Sequence, residues 1–297
     1  MVQSHGFRPG QALMLWKRLY GDNIWAHGID ELEGLNKDFK KMLSEHAEIR
    51  ALSLKDIRTA SDGTRKEVAD FVRAGPTDWM GLRRYLTAAE IVEQAVHARR
   101  LLYGDIGSIT NVVFMGMGEP FHNIENVIKA ADIMVDEQGL HFSPRKVTVS
   151  TSGLVPHLKR FLHESKCALA VSLNATTDET ECQWVSISFL CNVETSISQY
   201  IEDANRLIDR VKGIPCKINL IFFNPHSGSQ FRPSSDEKMI EFRNVLAKGG
   251  CTVFMRFSRG DDQMAACGQL GNPGSIKAPL LRVPEQFRVA LNTGTST

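Results

Sequence analysis

No cysteine precedes position 167 in this chain of 297 residues. The six that occur, Cys167, Cys182, Cys191, Cys216, Cys251 and Cys267, form no C-x-x-C pair, and no histidine cluster has zinc-ligand spacing. That excludes a zinc ribbon or finger, and a chain of this length buries enough core not to need disulfides. Long apolar runs are missing too. No stretch of eighteen apolar residues occurs, which argues against a membrane-spanning helix. Residues 1–6 carry neither an apolar signal core nor an Arg- and Ser-rich presequence, so an intracellular protein, cytoplasmic or organellar, is expected. Charge of one sign is also lacking: 35 basic and 34 acidic side chains leave a formal net charge of +1. A nucleic-acid partner would therefore have to be held by local basic patches. What remains is ordinary, with 42% hydrophobic and 23% charged residues, as in a globular protein with one catalytic domain and a small appendage.

Residues 8–58 read as helical, with Leu13, Trp16, Leu19 and Tyr20 on one face and Leu32, Leu35, Phe39 and Leu43 on another. Lys17, Arg18, Lys37, Lys40 and Lys41 decorate the opposite faces. They suit an RNA-binding surface, and equally an ordinary solvated one. The polar turn at 60–66 ends this unit, so the expected domains are 1–66, helical, and 67–297. Past Thr87 the pattern changes. Thr87 and Glu90 form a T-x-x-E capping box that opens a helix. Strands are expected at 111–115, 146–150, 168–173, 216–223 and 252–257, with helices at 123–137, 156–164, 200–211 and 234–248 between them. This alternation predicts parallel βαβ units, an α/β class, curled into an open or partial barrel. Such a barrel places its chemistry at the C-terminal ends of its strands.

The turns after those strands carry Gly116-Met117-Gly118-Glu119-Pro120, Ser150-Thr151-Ser152-Gly153, Ser172-Leu173-Asn174-Ala175 and Asn224-Pro225. Glycines allow a close backbone approach, carboxylate and hydroxyl groups meet charged ends, and an amide reads an adenine edge or a ribose hydroxyl. Each alone fits a simple turn. The ordered set suits a ligand with an amino-acid end and a nucleoside end. With Gly228-Ser229, Arg232-Pro233-Ser234, Ser258-Arg259-Gly260-Asp261 and Ala265-Ala266-Cys267-Gly268-Gln269-Leu270, it resembles the radical-SAM methyltransferases that methylate carbon 2 of adenosine in large-subunit ribosomal RNA and, in bacteria, some transfer RNAs. The resemblance covers about 8–289, including Ser61-Asp62-Gly63-Thr64-Arg65-Lys66. It implies a radical-SAM partial barrel, S-adenosylmethionine and a [4Fe-4S] cluster as cofactors, and ribosomal RNA or tRNA as partner, with no obligate protein partner. It further implies that Gly118 and Glu119 hold the cofactor's amino group, while Ser150, Ser172, Leu173, Asn174 and Asn224 contact the rest. Cys267 would accept a methyl group and deliver it to the base, with Arg256 and Arg259 placed to lower its pKa.

The chain departs from that family in two places. Members carry a C-x-x-x-C-x-x-C run after the first barrel strand, with a resolving cysteine upstream. Here residues 67–79 lead directly from Lys66 into Met80-Gly81-Leu82-Arg83-Arg84-Tyr85, which matches the family segment immediately C-terminal to the cluster loop. The first strand, the cluster ligands and the resolving cysteine are therefore expected to be missing, and no residue is assigned as a metal ligand. A second departure covers 182–198, where an interior strand is expected to be lost and ladder hydrogen bonds opened. Cys182 and Cys191 are too few, and wrongly spaced, to replace the ligands. Three expectations result: an RNA methyltransferase unable to perform the radical step as written, a non-catalytic RNA- or S-adenosylmethionine-binding remnant, or a defective splice or gene-model product that does not fold.

Overall fold

In the N-terminal part, the hydrophobic spacing produces two helices, α1 (Pro9–Tyr20) and α2 (Lys37–His46). The computed structural model describes residues 2–20, 26, 28–49, 52–71, 84–102, 109–115, 118–173, 186–191, 197–222, 224 and 234–263. Asn36 caps α2 by accepting the Phe39 N–H at 2.8 Å. Leu32, Leu35, Phe39 and Leu43 are buried together in a small core with Ala26 and Met42, as their spacing predicts. Leu13 departs from its predicted face and is exposed, while Tyr20 packs on the larger core.

The helical reading of 8–58 fails at Leu52. There the chain turns into β1 (Leu52–Thr59), paired antiparallel with β2 (Arg65–Phe71). Most of β1 faces water, so its sequence lacks the two-residue alternation of a half-buried strand. Cross-strand pairing decides its conformation instead. The expected boundary between Lys66 and Glu67 lies inside β2.

The capping box opens α3 (Ala88–Leu102) as expected: the Thr87 N–H donates to Glu90 Oε2 at 2.8 Å, and the Glu90 N–H donates to Thr87 Oγ1 at 3.3 Å. Six strands then cross one parallel sheet in chain order: β3 (Val112–Phe114), β4 (Val147–Thr151), β5 (Ala168–Leu173), β6 (Ser186–Cys191), β7 (Lys217–Phe222) and β8 (Thr252–Arg256). Between them run α4 (Ile124–Val135), α5 (Val155–Glu164), α6 (Ile197–Val211) and α7 (Asp236–Lys248). One sheet face meets the helices. Val147, Val149, Leu169, Val171, Ile218 and Leu220 join Val127, Phe161, Leu207 and Phe242 in the main core. Alternation along the strands puts Thr148, Ser150, Ala170, Ser172, Asn219 and Phe254 on the other face.

The expected loss of an interior strand is corrected by β6. It pairs with β5 from Ala170↔Ser186 to Leu173↔Phe189 and with β7 from Ile187↔Ile218 to Cys191↔Phe222, so the ladder is continuous there. Among the described residues no helix is long and apolar enough to cross a membrane.

Candidate functional site

Parallel pairing brings the C-terminal ends of all six strands to one edge of the sheet, and the polar turns predicted from sequence gather there. Glu119, just past β3, is the most highly coordinated side chain of the group. Its Oε1 accepts from Thr151 Oγ1 at 2.7 Å and from the Phe121 N–H at 2.9 Å. Its Oε2 accepts from the Ser152 N–H at 2.7 Å and from Ser152 Oγ at 2.8 Å. Burial pushes this carboxyl up. The two backbone N–H groups and two hydroxyls outweigh that and hold it below the usual glutamate range. Glu119 is therefore a carboxylate strap joining the turn after β3 to the turn after β4. Gly118 sits beside it on the exposed side.

Ser150 and Ser172 share a strand face, and their hydroxyl oxygens are 3.0 Å apart. Leu173 packs partly against the core. Asn224, 4% exposed, lies past β7, and its Oδ1 accepts from the Ser258 hydroxyl of the turn after β8. Arg256 does not stand alone: its Nε donates to Asn219 Oδ1 at 3.2 Å. Lys217, Asn219, Phe254, Met255 and Arg256 line an open cavity of about 420 Å³ on β7 and β8. The structure thus brings Gly118, Glu119, Ser150, Ser172, Leu173 and Asn224 to one rim. Asn174, expected as a cofactor contact, and Cys267, expected as the methyl acceptor, lie outside the described residues. Thr151, Ser152 and Ser258 stand in motifs that the sequence singles out, but their pairing with Glu119 and Asn224 is not foreseen. Thr151 and Ser152 stand inside the S-T-S-G motif, but nothing local signals their pairing with a carboxylate on the preceding strand's turn.

The thiols that can be described do not suit a cluster. Cys167 is 8% exposed within the main core, and burial pushes its thiol up. Cys216 and Cys251 precede β7 and β8, at the opposite end of the sheet from the rim, and burial raises both. Iron ligation needs thiolates, so raised pKa values and this placement both count against these three side chains. Among the described residues no group of three or more His, Cys, Asp or Glu side chains is placed to hold a metal ion.

No family model matches the chain. Individual proteins do. It is 32% identical to the dual-specificity RNA methyltransferase RlmN of Syntrophobacter fumaroxidans, over 91% of this chain and 94% of that protein. The identity to the protein of the same name from Syntrophotalea carbinolica is 33%, over 92% and 86%. This chain belongs to the RlmN dual-specificity RNA methyltransferase family. The RlmN 2 protein of Myxococcus xanthus is 39% identical over 231 residues, 68% of this chain, and the match spans only 61% of that protein. The likeness extends to three dimensions: a radical SAM methyltransferase from Sphaerobacter thermophilus superposes with a TM-score of 0.80 at 28% identity, over 90% of this chain and 94% of that one.

Proposed function

We propose that this RlmN-family chain binds S-adenosylmethionine at the rim and RNA beside it, transfers the cofactor's methyl group to Cys267, and stops short of methylating carbon 2 of adenosine. Ribosomal RNA, and tRNA where the relatives' dual specificity extends to it, is the partner class. The observation that carries this reading is the rim itself. Gly118, Ser150, Ser172 and Asn224 stand at or just past the C-terminal ends of β3, β4, β5 and β7, and their polar groups suit a ligand with an amino-acid end and a nucleoside end.

Methyl transfer needs no metal in its own balance. The Cys267 thiolate attacks the sulfonium methyl carbon, a carbon–sulfur bond forms to the cysteine, and the bond to the sulfonium breaks with its electron pair staying on sulfur. The products are S-methylcysteine and S-adenosylhomocysteine. Moving that carbon onto an aromatic ring position is a radical step, which in the resembled family calls for a cluster held by three thiolates. The described thiols do not fit that group, so no step here runs through it. The alignment to the Syntrophobacter protein spans 325 positions, more than the 297 residues of this chain, so that relative carries residues with no counterpart here.

The test is anaerobic reconstitution with iron and sulfide, followed by incubation with methyl-labelled S-adenosylmethionine and a large-subunit ribosomal RNA fragment. The expected result is label on Cys267, salt-dependent RNA binding, no visible cluster absorption and no 2-methyladenosine. Formation of 2-methyladenosine by the purified chain alone would refute the proposal.

A further inference from the structure

Two hydrogen bonds tie parts of the chain that lie about two hundred residues apart. The Gly260 N–H donates to Asp62 Oδ2 at 2.9 Å, and the Ser61 N–H donates to Asp262 Oδ2 at 3.0 Å. The exchange is reciprocal: each segment contributes one carboxylate and one backbone N–H. Asp62 stands at the tip of the β1–β2 hairpin, where its other oxygen accepts the Thr64 N–H at 2.8 Å. The hairpin turn is closed by Ala60 N–H to Thr64 O at 2.8 Å and Gly63 N–H to Ala60 O at 3.0 Å. On the other side Gly260 adopts φ +74°, a left-handed turn that presents its N–H outward, and the Gln263 N–H closes onto Gly260 O at 3.1 Å. Each turn is also closed by hydrogen bonds within itself, so the docked contact orders few torsions that the turns do not already hold.

The segment so held begins at the rim. Ser258, two residues before Gly260, donates its hydroxyl to Asn224, and Cys267 lies five residues beyond Asp262. We infer that Asp62 and Asp262 are positioning residues: the tip of the N-terminal hairpin sets the place of the segment that runs from Ser258, the partner of Asn224, towards Cys267. The inference rests on the reading of Cys267 as the methyl acceptor. It adds that the N-terminal unit, through its hairpin, helps build the rim rather than standing apart from it. The depressed carboxyl of Asp62, held down first by the Thr64 N–H and then by that of Gly260, agrees with an acceptor that stays ionised at neutral pH.

The test uses the full chain and the variants Asp62→Ala, Asp62→Asn and Asp262→Ala, with two readouts that need no catalytic activity. Amide hydrogen exchange at Gly260 and Ser61 reports the contact, and the site-resolved alkylation rate of each cysteine reports its reach. Asp62→Ala should speed exchange severalfold at Gly260 and also at Ser61, whose own acceptor is untouched. The same variant should alkylate severalfold faster at Cys267 with Cys216 and Cys251 unchanged. Asp62→Asn, which keeps one carbonyl acceptor, should fall between the two. Asp262→Ala removes the opposite bond and should give the same pattern, which keeps the test open should Asp62→Ala fold poorly. Unchanged exchange at Ser61 in Asp62→Ala, or an unchanged Cys267 rate in both alanine variants, overturns the inference. Failure of the unmodified chain to take up label on Cys267 would instead count against the methyl-acceptor reading and leave these exchange results standing.

Discussion

Replacing Glu119 tests whether four donors on one carboxylate hold the rim together. In Glu119→Ala the Ser152 N–H and hydroxyl recover their hydrogen bonds from water, because that end of the cluster is exposed. The Phe121 N–H and the Thr151 hydroxyl do not, since Phe121 is 0% and Thr151 2% exposed. Two dry donors at about 1–1.5 kcal/mol each put the loss at about 2–3 kcal/mol. Glu119→Gln should be the milder change. An amide that turns its NH2 towards Ser152 finds a hydroxyl that can accept and an N–H that water can reach, while its oxygen keeps the Phe121 N–H and the Thr151 hydroxyl, so glutamine should cost less than alanine. The pH dependence has a definite sign. A carboxyl held below its ordinary value contributes stability that is complete above the unfolded pKa of about 4.3 and is lost as pH falls through the lower folded value. Urea unfolding at pH 7 and at a series of acid pH values should therefore show a gap between wild type and Glu119→Ala that narrows only in acid. An alanine variant within about 0.5 kcal/mol of wild type at pH 7, less than one net hydrogen bond, would refute the reasoning. So would a gap of the same size at every pH.

Three further outcomes concern the core and its neighbours. Phe161 is 0% exposed with its ring centroid 5.5 Å from that of Phe121, so Phe161→Ala should cost about 3–5 kcal/mol in chemical denaturation. At Gly249 a Cβ would lie 2.4 Å from Ile208 Cδ1 and 2.8 Å from its Cγ1, so Gly249→Ala must displace the Ile208 side chain or loosen the α6–α7 contact and should lower stability by about 1–3 kcal/mol; Ile208→Ala in the same chain should relieve part of that strain. The Arg84 guanidinium, bidentate at 2.6 and 2.8 Å, holds the Glu90 carboxyl at about 2 despite its burial, helped by Thr87. Stability from that depression is complete above the ordinary glutamate value and lost as pH falls towards 2. Arg84→Ala should therefore flatten the acid limb of the stability curve between about pH 4 and 2.

The strands that bury one face against helices are legible because burial writes itself into sequence. In β4 and β7, Val147, Val149, Ile218 and Leu220 fill the helix-facing positions, and the expected strands at 146–150 and 216–223 fall on them. The same logic makes the Thr87–Glu90 box readable, since both of its bonds join residues three apart. Two elements escape for different physical reasons. In β1 only Leu52 is buried, so nothing local distinguishes it from a solvated helix, and its partner strand decides the matter. In β6 the alternation is present, with Ser186 and Ser188 around Ile187 before Phe189, but the departure of 182–198 from the family's residues hides it. A strand needs only suitable periodicity and two free neighbours, not the family's residues. At the rim, strand ends are visible in the sequence and their pairings are not. Thr151 bonds Glu119 across 32 positions and Gly260 bonds Asp62 across 198, and no local pattern encodes such distances.

These long-range bonds also limit what binding at the rim can accomplish. Glu119 has two oxygens and accepts four hydrogen bonds from its own chain, so every lone-pair site is already used. A cofactor ammonium reaching this carboxylate must share or displace one of those donors, and the exposed Ser152 hydroxyl is the one that water compensates most easily. The amino-acid end of S-adenosylmethionine would then be held by a rearranged Ser152 and the backbone beside Gly118, not by an empty acceptor waiting for it. Hydrogen bonds of this kind place a sulfonium methyl near a thiolate, which is all that polar transfer requires. Carbon–carbon bond formation at an aromatic position requires in addition a source of single electrons. Hydroxyls and a carboxylate have none to give, so on the proposed reading these described residues would support methyl transfer to a thiolate and no further step.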